Sequence, residues 1–146
     1  MSLHEIDVYI INWMRRWSVP FSRFGLFVIF FWFGFLKVLG FSPASGLVKE
    51  LLQNTIPFMR PETFVICFGF FEMLIGILFI IKGQERTVIP LLMVHMAMTF
   101  MPLFVLPAVT WSGFLIPTLE GQYIIKNLVI IATAIGIASH LHPLRK

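Results

Sequence analysis

The sequence predicts an all-α polytopic membrane protein, a four-transmembrane-helix bundle with an N-terminal amphipathic interfacial helix. Three observations predict it. Hydrophobic residues make up 58% of the 146 residues and charged residues only 12%, against roughly a quarter charged in soluble domains. Mean hydropathy is +0.90, more apolar surface than a soluble fold of this length could hide. Four apolar runs of eighteen to twenty residues recur along the chain, each close to the ~20 a helix needs to cross the hydrocarbon. Soluble enzymes, DNA-binding domains and disordered tails are excluded as classes. The length suits one unit, so 1–146 reads as a single membrane domain.

Each element follows from local pattern. Over 1–20, Ile6, Ile10, Trp13, Met14 and Trp17 recur at helical spacing, with Glu5, Asp7, Asn12, Arg15 and Arg16 elsewhere. That pattern predicts an amphipathic helix lying in the membrane interface, or alternatively a helix that binds a partner. The first span, 24–41, carries one charge, Lys37. Ser42-Pro43 then starts a short helix with a Leu47, Val48, Leu51 and Leu52 stripe on the outer face. The second span, 63–81, carries Glu72, and the third, 87–106, carries His95 and no formal charge. Pro90 sits in the third span's first turn, where proline is tolerated, and Pro102 kinks or ends it. The segment 107–122, with Trp111, Pro117 and Gly121, reads as a cap over the outer end. The fourth span, 123–141, has Lys126 near its start. Helix is the choice for every span because it satisfies its own backbone in lipid. No secretory signal is expected, since the first long apolar run starts only at Phe24 and no small-residue cleavage site follows it.

Eleven Lys and Arg against seven Asp and Glu give +4. The positive charge flanks the apolar runs, so the membrane explains it and nucleic acid is not an expected partner. With four spans, the N-terminus, the 82–86 loop and the C-terminus share a side that holds Arg15, Arg16, Arg23, Lys82, Arg86, Arg145 and Lys146. The other side holds Lys49 and Arg60, with Lys37 and Lys126 at span ends. Seven against four predicts both termini in the cytoplasm. Cys67 stands alone, which excludes an internal disulfide or dithiol chemistry, and it reads as a buried small hydrophobe. His140 and His142, two residues apart, do not share a helix face and read as interfacial.

Charges inside a span cost about 2.5–3.5 kcal/mol each, so they seldom occur without a partner or a use. Helical spacing groups Phe30, Gly34 and Lys37 on the first span and Gly69, Glu72 and Gly76 on the second. It groups Leu91, His95, Met98, Thr99 and Pro102 on the third, and Gln122, Lys126 and Thr133 on the fourth, with Asn127 adjacent. Small residues permit close helix approach and polar groups face the interior, so the four faces are expected to meet around one axis. The candidate ligand-binding set is Lys37, Glu72, His95, Lys126 and Asn127. The plainer alternative makes Lys37–Glu72 and Lys126–Glu120 ion pairs that pin helix register, with His95 hydrogen-bonded across helices. No metal is expected, because Met98 is the only soft ligand on the His95 face. The third span's methionines point all round the helix and read as adaptable packing.

Three short motifs carry a resemblance. Ile29-Phe30-Phe31-Trp32-Phe33-Gly34-Phe35-Leu36-Lys37 is similar to the V-F-x-W-x-G-x-L-K-F signature of DoxX-like membrane proteins, in particular the YkgB-type branch. Phe71-Glu72-Met73-Leu74-Ile75-Gly76 is similar to that branch's V-E-x-x-I-G, and Gly121 to Asn127 to its G-R-x-x-x-K-D. The resemblance runs in register over about 23–138. It implies a four-helix bundle in the bacterial cytoplasmic (inner) membrane, with some members linked to respiratory or thiol redox systems and quinone reduction. It marks Lys37, Glu72 and Lys126. Gln122 and Asn127 stand where an arginine and an acid are frequent, which removes an ion pair at the outer mouth, and the first outer loop is short. No cysteine pair supports the thiol link.

Two functions from different classes are expected. In the first, a quinone-like or other apolar ligand enters the bundle from lipid as part of a membrane redox system. Lys37 and Lys126 hydrogen-bond its carbonyls, and Glu72 with His95 carries a proton. The chain has no flavin, haem or iron–sulfur motif, so electrons would come from a partner. In the second, the chain is a non-catalytic accessory or structural subunit of a larger membrane complex, or a homo-oligomer. The charge asymmetry makes a direct prediction: an introduced cysteine near Ser112 should label from outside the cell and one near Gln84 should not. The reverse pattern would overturn the orientation.

Overall fold

A computed structural model describes residues 2–143; Arg145 and Lys146, which enter the orientation expectation, lie outside the described residues. The first helix, α1 (Leu3–Val38), runs 36 residues, about 54 Å at 1.5 Å per residue. Its start is a capping box, in which Ser2 Oγ accepts from the Glu5 amide and the Glu5 carboxylate accepts from the Ser2 amide. Its end is a Schellman motif: Gly40, at φ +80°, donates to the Lys37 carbonyl, and the Phe41 amide donates to Leu36. Here the fold departs from expectation. The interfacial helix and the first span are one helix, because Pro20 is the only breaker between them and the helix continues through it. A mid-helix proline removes one hydrogen bond, at about 3 kcal/mol, but supplies no turn.

The short helix α2 (Ser45–Thr55) buries Leu52 and leads to α3 (Pro61–Ile80), which has proline in its first turn. Gly83, at φ +88°, makes the turn into α4 (Glu85–Phe100). Pro102 then opens α5 (Pro102–Val105), and the two pieces form one span, Glu85–Val105. The cap over this end of the bundle consists of α6 (Pro107–Thr110) and a hairpin of β1 (Trp111–Gly113) and β2 (Ile116–Pro117), with Trp111 opposite Pro117. This hairpin is the one departure from all-α among the described residues. Thr118 caps α7 (Leu119–Lys126), and a break at Asn127 leads to α8 (Leu128–Ala138). Among the described residues four helices are long and apolar enough to cross a membrane: Leu3–Val38, Pro61–Ile80, Glu85–Val105 and Leu119–Ala138. Phe24, Trp32, Phe70, Val94, Val129 and Ile135 point outward and exposed, which suits lipid and not water.

Glycine sets the closest contact. A Cβ added at Gly34 would stand 2.5 Å from the Gly69 carbonyl oxygen, and one at Gly69 would stand 2.6 Å from that of Gly34. Two turns further along, Gly76 lies against the backbone of Phe27 and Phe31, so α1 and α3 run antiparallel with their backbones touching. Below this contact Leu26, Phe30, Ile75, Phe79, Val88, Leu92, Met96, Ala134 and Ile137 form the core. Cys67 is exposed on the outer side of α3, not buried as expected, because the α3 face is claimed by Val65, Gly69 and Glu72.

The fourth span is turned relative to expectation. Gly121, Ile124, Ala134 and Ile137 face inward, while Gln122 and Lys126 are exposed. Gly121 packs against the Thr110 carbonyl so closely that no Cβ could fit, and this contact fixes the rotation. Overpacking costs typically about 1–3 kcal/mol. Gly34→Ala and Gly69→Ala should each destabilise the fold by that order, seen as a lower melting temperature in detergent. Gly136→Ala, whose added Cβ meets nothing within 4 Å, should not. Equal behaviour of all three would contradict the backbone contact.

Candidate functional site

Lys37 lies one turn beyond Gly34 on α1, and its stem passes over Gly69, where a larger residue would block it. Its Nζ donates to Glu72 Oε2 at 2.6 Å. The other carboxylate oxygen, Oε1, is 3.0 Å from His95 Nε2 on α4. One carboxylate thus joins three helices. With the Nε2 hydrogen donated to Glu72, the ring Nδ1 is an acceptor and lies 3.3 Å from the Thr99 hydroxyl, which is also 3.0 Å from the His95 carbonyl. Phe68 stacks on the imidazole at 4.7 Å and 12°, and Phe30 meets it edge-on at 5.2 Å. The ammonium of Lys37 lies 5.8 Å over the same Phe68 ring.

Glu72 is the twelfth of the 20 residues of α3, about 16 Å along a helix of about 30 Å. His95 is the eleventh of the 21 residues of its span. Both therefore stand near the middle of their helices. Lys37 is 7% exposed, Glu72 5% and His95 4%. In such a setting charge interactions are strong and unpaired groups expensive. Among the described residues every buried side-chain nitrogen and oxygen has a partner. Chemically the arrangement is a short chain, ammonium to carboxylate to imidazole to hydroxyl, along which a proton can pass between neighbours in contact.

Three of the five candidate residues meet here; Lys126 and Asn127 do not. Lys126 is exposed, with its Nζ 5.5 Å over the Tyr123 ring and no contact with Glu120. Asn127 donates to the Tyr123 carbonyl on its own helix at 3.2 Å. The rotation imposed at Gly121 turns both away, and a lysine stem can reach outward to polar surroundings. Phe68 lies four residues before Glu72 on one helix face, a spacing that could have marked it.

A second ionic contact was not anticipated. Arg23 and Glu85, 8% exposed, form an ion pair at the end of the bundle that carries the α3–α4 turn, and Arg23 also donates to the Phe79 carbonyl at 3.1 Å and to Ile81 at 3.5 Å. It ties α1 to the end of α3 and the start of α4. Glu85 being the one acid in a basic turn was the available signal.

Removing one member of a buried pair typically costs about 3–5 kcal/mol, whereas replacing both by neutral groups can be tolerated. Glu72→Gln alone should therefore lower the melting temperature in detergent more than Lys37→Met with Glu72→Gln together. A double variant at least as unstable as the sum of the singles would contradict the pairing.

No family model, curated protein or solved structure matches the chain.

Proposed function

We propose that this chain is a multi-pass protein of the bacterial cytoplasmic membrane, DoxX-like in kind, that takes a quinone-like carbonyl ligand at Lys37–Glu72–His95 as a component of a membrane redox system. The observation that carries the reading is the single carboxylate held between an ammonium and an imidazole near mid-helix. Intramembrane ionisable groups of this sort mark ligand and proton sites by default. Lys37 is the group with reach: by swinging its ammonium from Glu72 to a ligand carbonyl it would bind the oxygen. Phe30, Phe68 and Phe71 around His95 would hold the ring. Glu72, His95 and Thr99 would hand on the proton, and a partner protein would supply the electrons.

Both termini are placed in the cytoplasm by the excess of arginine and lysine on that side. The N-terminal half of α1, continuous with the first span through Pro20, keeps an apolar stripe that would contact lipid. Ile10, Trp13 and Trp17 continue, in register, the lipid-facing row of Phe24, Val28 and Phe35, and all six are exposed.

One observation favours a second reading, a non-catalytic accessory subunit: the triad is closed on itself, with direct Lys37–Glu72 contact and no buried polar atom left over. Titrating a short-chain quinone into the purified protein separates the two. The ligand reading expects saturable binding that Lys37→Met weakens at least tenfold, since hydrogen bonds to charged groups contribute about 1.5–3 kcal/mol. Absence of saturable binding to the wild type would overturn it in favour of the accessory role.

A further inference from the structure

One aromatic ring serves two members of the triad at once. Phe68 lies face to face with the His95 imidazole, the centroids 4.7 Å apart and the planes 12° from parallel. The Lys37 ammonium stands 5.8 Å over the same ring. Both contacts depend on a flat π face, which stacks on an imidazole and attracts a cation. Any ring that is to lie on this imidazole within reach of Lys37 and Glu72 needs the place that Phe68 holds.

Phe68 is also the least anchored ring around His95. Phe30 belongs to the apolar core, and Phe71 packs against that core. Among the described residues Phe68 does neither, and it is only half-buried. Its other aromatic neighbours are Phe71, tilted at 6.4 Å, and Phe64, half-buried itself and stacked one turn back at 5.6 Å. The backbone beneath it is fixed, because Gly69 is pressed against Gly34. The side chain is not. A helical phenylalanine has two χ1 wells, at about 180° and about −60°, and passage between them carries the ring off the imidazole. Lys37, Glu72 and His95 are buried, so this half-buried ring is the movable part of their cover.

We infer, on the basis of the quinone-like reading, that Phe68 is a placeholder for the ligand's ring. It swings aside as the ligand arrives, and the ligand's ring takes over the stack on His95 with a carbonyl within reach of Lys37. Phe30 and Phe71 stay as walls, and Phe68 closes against the ring from its new position. That makes Phe68 a specificity-determining residue. A flat six-membered ring restores the stacking that its displacement gives up, whereas a saturated lipid chain has no π face and restores none of it. The site is thereby kept from the acyl chains that surround the bundle in excess.

Titration of a short-chain benzoquinone into the full chain in detergent tests the inference. A minor open state holds about a tenth of the population or less, and apparent affinity is reduced by that fraction. Phe68→Ala, which is always open, should therefore bind the probe about tenfold tighter than the wild type. Phe68→Leu keeps the apolar bulk without a ring to stack, and should shift affinity in the same direction even where the alanine variant does not fold. A second measurement places para-fluorophenylalanine at position 68 of a chain with nitrogen-labelled histidine. Solid-state NMR should show a dipolar contact between the fluorine and the His95 ring that is lost when benzoquinone saturates the protein. Wild-type binding that both variants weaken or leave unchanged, or a fluorine–imidazole contact that persists at saturation, would overturn the placeholder and leave the ligand reading standing. No saturable binding by the wild type or either variant would bring down both.

Discussion

Glu72 is the residue on which the interior depends. Its two carboxylate oxygens are divided between helices, one to Lys37 of α1 and one to His95 of α4. No apolar side chain could do the same, since dispersion has no direction and lipid tails compete for it equally well. The carboxylate in turn depends on glycine. Only where Gly34 and Gly69 let two backbones touch can a lysine near the end of α1 reach an acid half-way down α3. Packing and electrostatics are therefore one constraint, and a methyl group at either glycine would disturb the ion pair as well as the contact.

The bundle is held differently at its two ends. At one end, Arg23 joins Glu85 and the final carbonyls of α3, and so closes the turn between α3 and α4 against α1. At the opposite end neutral hydrogen bonds do the work: Thr110 donates to Leu106, Trp111 to Leu103 and Thr118 to Val109, folding the hairpin and α6 over the bundle. The triad lies between these closures. It has the composition of a proton-handling site and the saturation of a structural one, and motion of the Lys37 side chain is what would convert the second into the first.

How far the residues disclosed this depended on the range of the contact. On α1 and α3, glycine and charge recur three or four positions apart, so the inward face of Phe30, Gly34 and Lys37 and that of Gly69, Glu72 and Gly76 could be read directly. His95 was legible for the same reason. The fourth span was not. Its rotation is set by Gly121 meeting the Thr110 carbonyl across a hairpin, a contact no local spacing encodes, and Lys126 therefore faced outward despite its apparent kinship with Lys37. The continuity of α1 was missed because Trp and Arg at a membrane boundary suggest a change of direction, whereas only Pro20 interrupts the helical pattern. Cys67 misled through composition alone: in a bilayer an apolar neighbourhood does not distinguish inside from outside.

The central claim is that one carboxylate ties Lys37 to His95 within the membrane. Solid-state NMR on the protein in lipid bilayers, with nitrogen-labelled lysine and histidine and carbon-labelled glutamate, measures it directly. The account predicts through-space correlations from the Glu72 carboxyl carbon to both Lys37 Nζ and His95 Nε2, both absent in Glu72→Gln. A Lys37 ammonium that correlates only with water or lipid headgroups would contradict it.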